Sequence, residues 1–300
     1  MRKLYLFFIG LLFSGYCYGQ QDPLYAQYLT NPMIFNPAYV GLNNSFNAAV
    51  SYRNQWAGFN GSPSTVNFSA HTSVVDNKVG LGAMFVTDKP GLVNNTELEF
   101  LGSYKLNLTK YTLSFGMQLG YMNSTYRYFD VSLANPNDPV FPQTNTRYSW
   151  PNLGVGAILK GDQFIVGVSV PRMMKTKAGY TDFLIQSQHI YVYGAYVYYL
   201  GTRLRLKPSV LFRGVKGAPL STDLNFNVNI DTKYSGGIFL RNFKSYGVLL
   251  QAWFFNKARV GYAFELPGGS SVGPQYVTNE ITLAVRMGVF KFHDSSYTEF

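Results

Sequence analysis

Apolar and polar side chains alternate along most of the chain between Ser45 and Phe290. In the first such segment Val50 and Tyr52 fall on one face, and Ser51 and Arg53 fall on the other. A period of two residues indicates a β-strand whose two faces meet different environments. About fourteen such segments follow one another, each close to the ~9–11 residues that a tilted membrane-spanning strand needs. The pattern therefore predicts an all-β protein.

The links between the segments differ in length in a regular way. Short links recur at every second connection, at Asp76–Lys78, Asn107–Lys110, Gly161–Asp162, Gly201–Thr202, Asp231–Thr232 and Asn256–Lys257. The longest of the other links are Thr125–Tyr148, Pro171–Gln188 and Pro267–Val277. In bacterial outer-membrane barrels the short turns face the periplasm and the longer loops face outward. An even number of strands also puts both termini of the barrel's chain on the same side, the periplasm, so the two signals agree.

Composition separates a membrane barrel from a soluble β-sandwich, whose strands also alternate. Only 13% of the residues are charged and 17% are aromatic, whereas soluble domains are roughly 25% charged. After Gly19 no apolar run approaches the ~18 residues that a transmembrane helix requires. Such aromatic-rich apolar faces would make a soluble protein aggregate. We therefore predict a transmembrane antiparallel β-barrel of about fourteen strands, with short periplasmic turns and longer extracellular loops.

The first nineteen residues have the pattern of a secretory signal peptide. Arg2 and Lys3 precede the apolar run Leu4–Phe13, and cleavage is predicted after Gly19. The single cysteine, Cys17, lies inside this segment, so the mature chain has none. The predicted organisation is a signal peptide over residues 1–19, a periplasmic N-terminal segment or plug over 20–44, a barrel over 45–290 and a C-terminal tail over 291–300. The predicted location is the outer membrane.

Two features depart from simple alternation. The segment His189–Leu200 is apolar on both faces, which leaves its orientation open. Seven glycines fall on inward faces of the predicted strands: Gly80, Gly82, Gly116, Gly120, Gly154, Gly156 and Gly167. Glycine in a strand marks either curvature or the close approach of another backbone, and both interpretations stay open. Under the second, we hypothesise that the proline-rich segment Gln21–Asn44 packs against this smooth wall and plugs the lumen.

The residue types needed for catalysis do not form a recognisable group. The three histidines, His71, His189 and His293, have no metal-ligand spacing among themselves. Glu97 and Glu99 share one face, as paired catalytic carboxylates do, but lumen charges facing Arg or Lys are the commoner arrangement. Lys and Arg are scattered rather than clustered, despite a net charge of +10. We expect no enzymatic activity, no cofactor, no metal and no nucleic-acid partner.

Several motifs resemble those of one protein family. They are Asp22-Pro23-Leu24-Tyr25-x-x-Tyr28, Asn31-Pro32, Asn36-Pro37-Ala38-Tyr39-x-Gly41 and Tyr52-Arg53-Asn54-Gln55-Trp56. Together they resemble the PorP/SprF family of outer-membrane proteins associated with type IX secretion in Bacteroidetes. Val40 stands where alanine is usual in that pattern, and Ser73 stands where proline commonly follows Thr72. These departures caution against assuming identical partner contacts.

The resemblance implies a non-enzymatic accessory for export or surface attachment of particular cargo proteins, including gliding-motility adhesins. It implies as partners the translocon, periplasmic ring proteins and cargo C-terminal domains, beside the outer-membrane lipid. The candidate partner-binding residues are Asp22, Pro23, Tyr25, Tyr28, Asn31, Pro32, Asn36, Pro37, Tyr39, Gly41, Arg53, Gln55 and Trp56. We expect the N-terminal part of this set to be exposed in the periplasm; the alternative is a segment that merely packs the barrel base. The loops Thr125–Tyr148 and Pro171–Gln188 are an alternative site for gripping cargo.

A second function stays open from the sequence alone. About fourteen strands can enclose a lumen, so the chain is alternatively an outer-membrane channel or transporter for small or hydrophobic solutes. Deleting Asp22–Gly41 and measuring conductance distinguishes a plugged lumen from an open one.

Overall fold

A computed structural model describes residues 26–29, 31–128, 144–174, 176–178, 183–268, 273 and 275–293. In this part the chain forms a closed antiparallel β-barrel of 14 wall strands, which confirms the predicted fold class. No helix among these residues combines the length and the apolar character needed to cross a membrane. The predicted signal peptide lies outside the described residues, so cleavage after Gly19 remains a prediction.

The described residues form 17 strands, and those of the wall follow one another around the barrel in chain order. They are β1 (Phe46–Asn54), β2 (Ser64–Val74), β3 (Val79–Lys89), β4 (Val93–Asn107), β5 (Thr112–Tyr126), β6 (Thr146–Lys160), β7 (Phe164–Arg172), β8 (Thr176–Ala178), β9 (Phe183–Gln186), β10 (His189–Tyr196), β11 (Tyr198–Leu200), β12 (Leu204–Val215), β13 (Ser221–Ile230), β14 (Tyr234–Arg241), β15 (Ser245–Phe254), β16 (Ala258–Pro267) and β17 (Thr278–Met287). β8 and β9 pair only with each other, and β10 and β11 are one wall strand interrupted at Val197. The ring closes where β1 pairs with β17, with Phe46 opposite Met287.

The six predicted short turns all lie at one end of the barrel, which we call the turn side. The start of β1 and the end of β17 lie there too. At the same end, His293 Nε2 lies 2.8 Å from the Ser73 carbonyl oxygen. The opposite end, the loop side, carries the longer connections and two three-residue links, 90–92 and 242–244. Strands extend further into one predicted loop than the sequence indicated, because β5 continues to Tyr126 and β6 begins at Thr146.

Apolar side chains cover the outside of the wall, as the alternation predicts. In β1, Val50 and Tyr52 are exposed, whereas Ser51 and Arg53 are buried toward the interior. A long band of exposed leucine, valine and aromatic side chains repeats this arrangement from β2 to β17. Such a surface is stable against hydrocarbon and not against water.

A charge placed in this band will destabilise the barrel in lipid. Phe100 lies at the middle of β4 and is 61% exposed. Phe100→Arg is expected to lower the free energy of unfolding by ~2–4 kcal/mol, because the charge must leave water. Leu108→Arg, in the β4–β5 turn, is the matched control and is expected to cost ~0–1 kcal/mol. Denaturant unfolding in lipid vesicles measures both, and equal values would contradict a lipid-facing β4.

The structure settles the orientation of the segment that is apolar on both faces. Tyr191 and Tyr193 of β10 point inward and are buried, whereas Ile190 and Val192 are exposed outside. Their inward rings contact Phe35, with centroids 5.7 Å and 5.5 Å away. The inward face of β10 is apolar because it packs against protein rather than against water.

Residues 26–29 and 31–44 lie inside the barrel, and we call them the lumen segment. They contain three short 3₁₀ helices, Ala26–Leu29, Pro32–Ile34 and Pro37–Tyr39. Met33, Ala38 and Val40 have 0% exposure. The principal hydrophobic core is therefore formed between this segment and the inner wall.

Candidate functional site: the occupied lumen

Asn-Pro pairs set the local structure of the lumen segment. Proline is favoured at the first position of a helix, where its missing N–H is no loss. Pro32 and Pro37 each begin a 3₁₀ helix, after Asn31 and Asn36. The Asn36 side chain caps its helix by accepting a hydrogen bond from the Ala38 N–H at 3.0 Å. The double Asn-Pro motif thus folds the segment into compact turns that fit a narrow lumen.

Asn36 also ties the lumen segment to the wall. Its Nδ2 group donates to the carbonyls of Ala157 on β6 and Val168 on β7, both at 3.3 Å. The space for the side chain exists because two wall residues are glycines. A Cβ on Gly156 would lie 2.1 Å from Asn36 Oδ1, and a Cβ on Gly167 would lie 2.9 Å from Asn36 Nδ2.

Loss of the Asn36 amide is expected to loosen the segment. Asn36→Leu keeps the volume but leaves the Ala38 N–H and two wall carbonyls without this partner, at a cost of about 1–3 kcal/mol. Asn107→Leu, at an exposed strand end, is the control and should change stability little. Thermal unfolding in detergent compares the two, and an unchanged midpoint for Asn36→Leu would contradict the bridging role.

Glycines on β3 and β5 let the wall approach the backbone of the lumen segment closely. A Cβ on Gly116 would lie 2.2 Å from the Ala38 nitrogen, and a Cβ on Gly80 would lie 2.1 Å from the Val40 oxygen. Real Cβ atoms do not approach backbone this closely, so only glycine fits. The structure thus gives at least these inward glycines the close-approach role that the sequence left open. Gly120 and Gly154 instead make room for Glu99 and for the Pro171 carbonyl.

Serine hydroxyls on the wall satisfy the carbonyls of the lumen segment. Ser103 donates to Val40 O at 2.6 Å, Ser114 to Ala38 O at 2.7 Å and Ser169 to Phe35 O at 2.6 Å. Buried carbonyls need such partners because a segment of short 3₁₀ helices pairs only some of its carbonyls internally. Alternation alone does not distinguish these serines from the other inward polar residues. Small polar residues at inward positions beside inward glycines were the signal that could have found them.

Ion pairs hold the loop-side end of the lumen segment. Arg53 contacts Glu265 at 3.1 Å and Glu280 at 3.6 Å, and Arg241 contacts Asp223 at 3.3 Å and Glu265 at 3.1 Å. We call these five residues the ion network. They lie at the loop-side ends of β1, β13, β14, β16 and β17.

Two groups of the lumen segment join the ion network directly. The Ala26 N–H donates to Glu280 at 2.8 Å, and the Tyr28 hydroxyl donates to Asp223 at 3.2 Å. At the opposite end Lys105 Nζ donates to the Gly41 carbonyl at 2.5 Å. The segment therefore runs through the barrel from the loop side to the turn side before β1 begins.

The candidate partner-binding residues are divided between three places. Asp22, Pro23 and Tyr25 lie outside the described residues. The buried members are Tyr28, Asn31, Pro32, Asn36, Pro37, Tyr39, Gly41 and Arg53. Gln55 and Trp56 keep partial exposure on the loop side. The described part of the N-terminal set thus lies in the lumen rather than exposed on the periplasmic side, and a partner can touch it only if the segment leaves the lumen.

Gln55 and Trp56 lie in the β1–β2 loop on the loop side, where hydrogen bonds hold the backbone. The Gln55 N–H donates to Pro63 O at 2.9 Å, and the Trp56 N–H donates to Thr278 Oγ1 at 3.2 Å. Phe59 packs edge-on against Tyr276, with ring centroids 5.3 Å apart. The backbone of the β1–β2 loop is therefore fixed to the β16–β17 connection.

This architecture is that of an outer-membrane β-barrel whose lumen is filled by its own N-terminal segment. The family described as type IX secretion system membrane protein PorP/SprF matches residues 18–285. The chain therefore belongs to the PorP/SprF family, as the motifs indicated, and has a membrane role in type IX secretion in the outer membrane. A comparison with curated proteins gives no match.

Solved structures share the barrel. The toluene transporter TodX of P. putida aligns with a TM-score of 0.52 at 9% identity, over 87% of this chain and 95% of that chain. A TodX deltaS2S3 mutant monoaromatic hydrocarbon channel aligns with 0.51 at 9% identity, over 85% and 92%. The outer membrane protein Omp33 of Acinetobacter baumannii aligns with 0.48 at 11% identity, over 82% and 100%. At these identities the likeness concerns the fold alone.

Proposed function

We propose that this protein is an accessory component of the type IX secretion system that supports export or surface attachment of particular cargo proteins, such as gliding-motility adhesins. Its partners would be the translocon, periplasmic ring proteins and cargo C-terminal domains. The observation that carries the proposal is family membership over residues 18–285, combined with a lumen filled by the chain itself. The lumen segment leaves the surfaces of the barrel as the places where partners can bind without displacing it.

Because the lumen segment is buried, we propose that partners bind at the loop side or the turn side of the barrel. Within the described candidate set, Gln55 and Trp56 are the side chains that keep exposure. Tryptophan is a common anchor of protein interfaces, and the braced β1–β2 loop reduces the entropy lost on binding. We place the cargo-facing or translocon-facing contact at this corner of the loop side.

The alternative is a channel or transporter for small or hydrophobic solutes. The fold neighbours include hydrocarbon channels, but at 9% identity their likeness concerns the fold alone. The packing of Phe35, Ala38 and Val40 against the wall favours the accessory role, because a solute would have to displace a well-bonded segment.

Affinity purification from detergent-solubilised outer membranes tests the accessory role. An affinity tag inserted after Gly217, in the exposed β12–β13 loop, leaves the lumen untouched. We expect type IX secretion components to co-purify in stoichiometric amounts, and an unrelated porin with the same tag to recover none. Recovery of the barrel alone from native membranes would overturn the proposed function.

The same preparation tests the proposed contact site separately. Trp56→Ala is expected to reduce the recovered partner about tenfold, in the range of an interface anchor. Leu220→Ala, also exposed on the loop side, is the control and should leave recovery unchanged. If partners co-purify equally with both variants, the accessory role stands and the Trp56 site is wrong.

A further inference from the structure

Exposed lysines lie along one arc of the turn side. The order of the wall strands places the β15–β16 turn, the end of β17, the β2–β3 turn and the β4–β5 turn next to one another. These four places carry one exposed lysine each: Lys257, Lys291, Lys78 and Lys110. The Asn77 side chain donates to the Phe292 carbonyl at 2.5 Å, which fixes the chain beyond β17 against the β2–β3 turn. We call the four lysines the lysine arc.

The positive charge of the lysine arc is open to the surroundings of the barrel. Among the described residues, no carboxylate forms an ion pair with any of its four members. The rest of the turn side differs, because Arg203 pairs with Asp231 at 2.5 Å and the β6–β7 turn contains Asp162. Positive charge is therefore concentrated on one part of the turn side.

An exposed apolar side chain lies close to each lysine of the arc in sequence. Val75, Leu108, Phe255 and Val289 precede Lys78, Lys110, Lys257 and Lys291 by two or three residues. Their exposed fractions are 62% for Val75, 57% for Leu108, 94% for Phe255 and 56% for Val289. Apolar surface of this extent is unfavourable in water and favourable among acyl chains. The arc thus combines cations with apolar side chains.

Two of these apolar residues occupy backbone positions that favour other residue types. Phe255 has a φ of 53° and Val75 has a φ of 52°, both in the left-handed region. Gly, Asn and Asp are usual at such positions in tight hairpins, whereas bulky and β-branched residues are rare there. An unfavourable residue at an exposed turn points to a role for the side chain itself. Phe255 and Val75 therefore indicate contact with a surface outside the chain.

Aromatic rings mark the end of the lipid-facing wall on the turn side. Tyr104, Tyr111, Tyr198, Tyr234 and Phe254 are exposed at or beside the turn-side ends of their strands. Aromatic girdles of outer-membrane barrels lie at the level of the lipid headgroups. The lysine arc lies directly beyond this girdle. A lysine at that level can direct its ammonium to a phosphate while its methylene stem follows apolar surface.

We propose that the lysine arc docks anionic phospholipids of the periplasmic leaflet. Each lysine contacts a headgroup phosphate, and the neighbouring apolar side chain enters the acyl region. The short turns of such barrels face the periplasm, and basic residues at a membrane surface attract anionic lipids. An acidic protein surface would satisfy the lysines but would leave apolar side chains at the level of the lipid without a reason. The inference is independent of the proposed role in secretion.

Lipid titration of the full mature chain in a nonionic detergent tests the proposal. The probes are phosphatidylglycerol, which is anionic, and phosphatidylcholine, which has no net charge. Native mass spectrometry resolves the bound lipids and gives the affinity for each. We expect phosphatidylglycerol to bind more tightly, because the two lipids share their acyl chains and differ in the charge that the lysines meet.

Removing three lysines of the arc together is expected to abolish most of this preference. Lys78→Gln, Lys110→Gln and Lys257→Gln in one chain should weaken phosphatidylglycerol binding about tenfold or more and change phosphatidylcholine binding little. β-Sheet circular dichroism confirms that the variant is folded. If it fails to fold, the single change Lys257→Gln supplies the same comparison with a smaller effect.

The matched control removes the same charge from the loop side. It combines Lys89→Gln, Arg147→Gln and Lys216→Gln, three positions that are exposed at that end of the barrel. We expect it to keep the preference for phosphatidylglycerol. The loop-side link Asn242–Lys244 resembles the β15–β16 turn in composition and stays intact in both variants.

Phe255→Asn tests the apolar half of the arc. Asparagine is favoured at a left-handed turn position, so the variant is expected to fold with undiminished stability in detergent. Its affinity for both lipids is expected to fall about fivefold, because the acyl contact is lost. Unchanged affinity for both lipids would contradict insertion of this side chain and overturn the proposal.

Equal affinity of the unaltered protein for the two lipids would also overturn the proposal. So would equal weakening in the two triple variants, which would indicate attraction to the basic chain as a whole. If the turn-side variant keeps its lipid preference but loses an acidic partner from native membranes, the arc binds protein and the lipid assignment is wrong.

Discussion

Gly116→Val is expected to displace the lumen segment from the barrel wall and to lower the stability of the barrel. A Cβ at this position would lie 2.2 Å from the Ala38 nitrogen, 2.3 Å from the Pro37 carbonyl carbon and 2.5 Å from the Ala38 Cα. These neighbours are backbone atoms, which cannot rotate away as a side-chain end can. Overpacking of a core costs ~1–3 kcal/mol, and we expect the upper end of that range here. Denaturant unfolding measures the loss, and limited proteolysis reports release of the segment.

Gly102→Val is the matched control for this substitution. Gly102 lies on the neighbouring strand β4 and faces outward, where a Cβ would meet no atom closer than 4.0 Å. It carries the same change in strand propensity without the collision. Equal stability and equal protease resistance of the two variants would contradict the close contact between Gly116 and the lumen segment. Should Gly116→Val fail to assemble, the smaller change Gly116→Ala provides the same comparison.

Arg241→Met is expected to be the most destabilising single change in the ion network. Asp223 and Glu265 would both lose a contact while remaining buried. Removing one partner of a buried charge pair costs about 3–5 kcal/mol, because the remaining charge is left uncompensated. Chemical unfolding in detergent should show this loss. Arg203→Met, which breaks the exposed pair with Asp231, is the control and should leave stability unchanged.

A second substitution separates charge imbalance from lost packing. Asp223→Leu added to Arg241→Met removes one of the stranded carboxylates, so the double variant is expected to recover part of the stability. Failure to recover would indicate that the arginine stabilises the barrel by packing. Equal stability of Arg241→Met and Arg203→Met would contradict a buried network altogether.

The wall was predictable from sequence because lipid imposes a strict alternation. Val50 and Tyr52 outside and Ser51 and Arg53 inside follow directly from a period of two. The six short turns were equally clear, because turn residues interrupt the alternation at regular spacing. The strand β10 was ambiguous for a physical reason. Its inward tyrosines meet Phe35 instead of water, so both faces are apolar.

The path of the lumen segment was only partly predictable. Inward glycines are compatible with the close approach of another backbone, and Gly80 and Gly116 do contact the lumen segment. Nothing local gave the direction of the segment through the barrel, because that depends on contacts between residues far apart in sequence. Ala26 meets Glu280 and Tyr28 meets Asp223, pairs that no periodicity within a strand connects. For motif residues such as Tyr28 and Asn36 the sequence alone leaves partner binding and internal packing open, and the structure buries both in the lumen.

Conductance of the reconstituted barrel in planar bilayers tests most directly whether the chain closes its own lumen. The two samples are the intact mature protein and a variant lacking Asp22–Gly41, each confirmed as folded by its β-sheet circular dichroism. The account predicts that the intact protein shows no stable open pore and that the deletion opens one in discrete steps. An intact protein that already conducts as an open barrel, or a deletion that leaves the conductance unchanged, would contradict it.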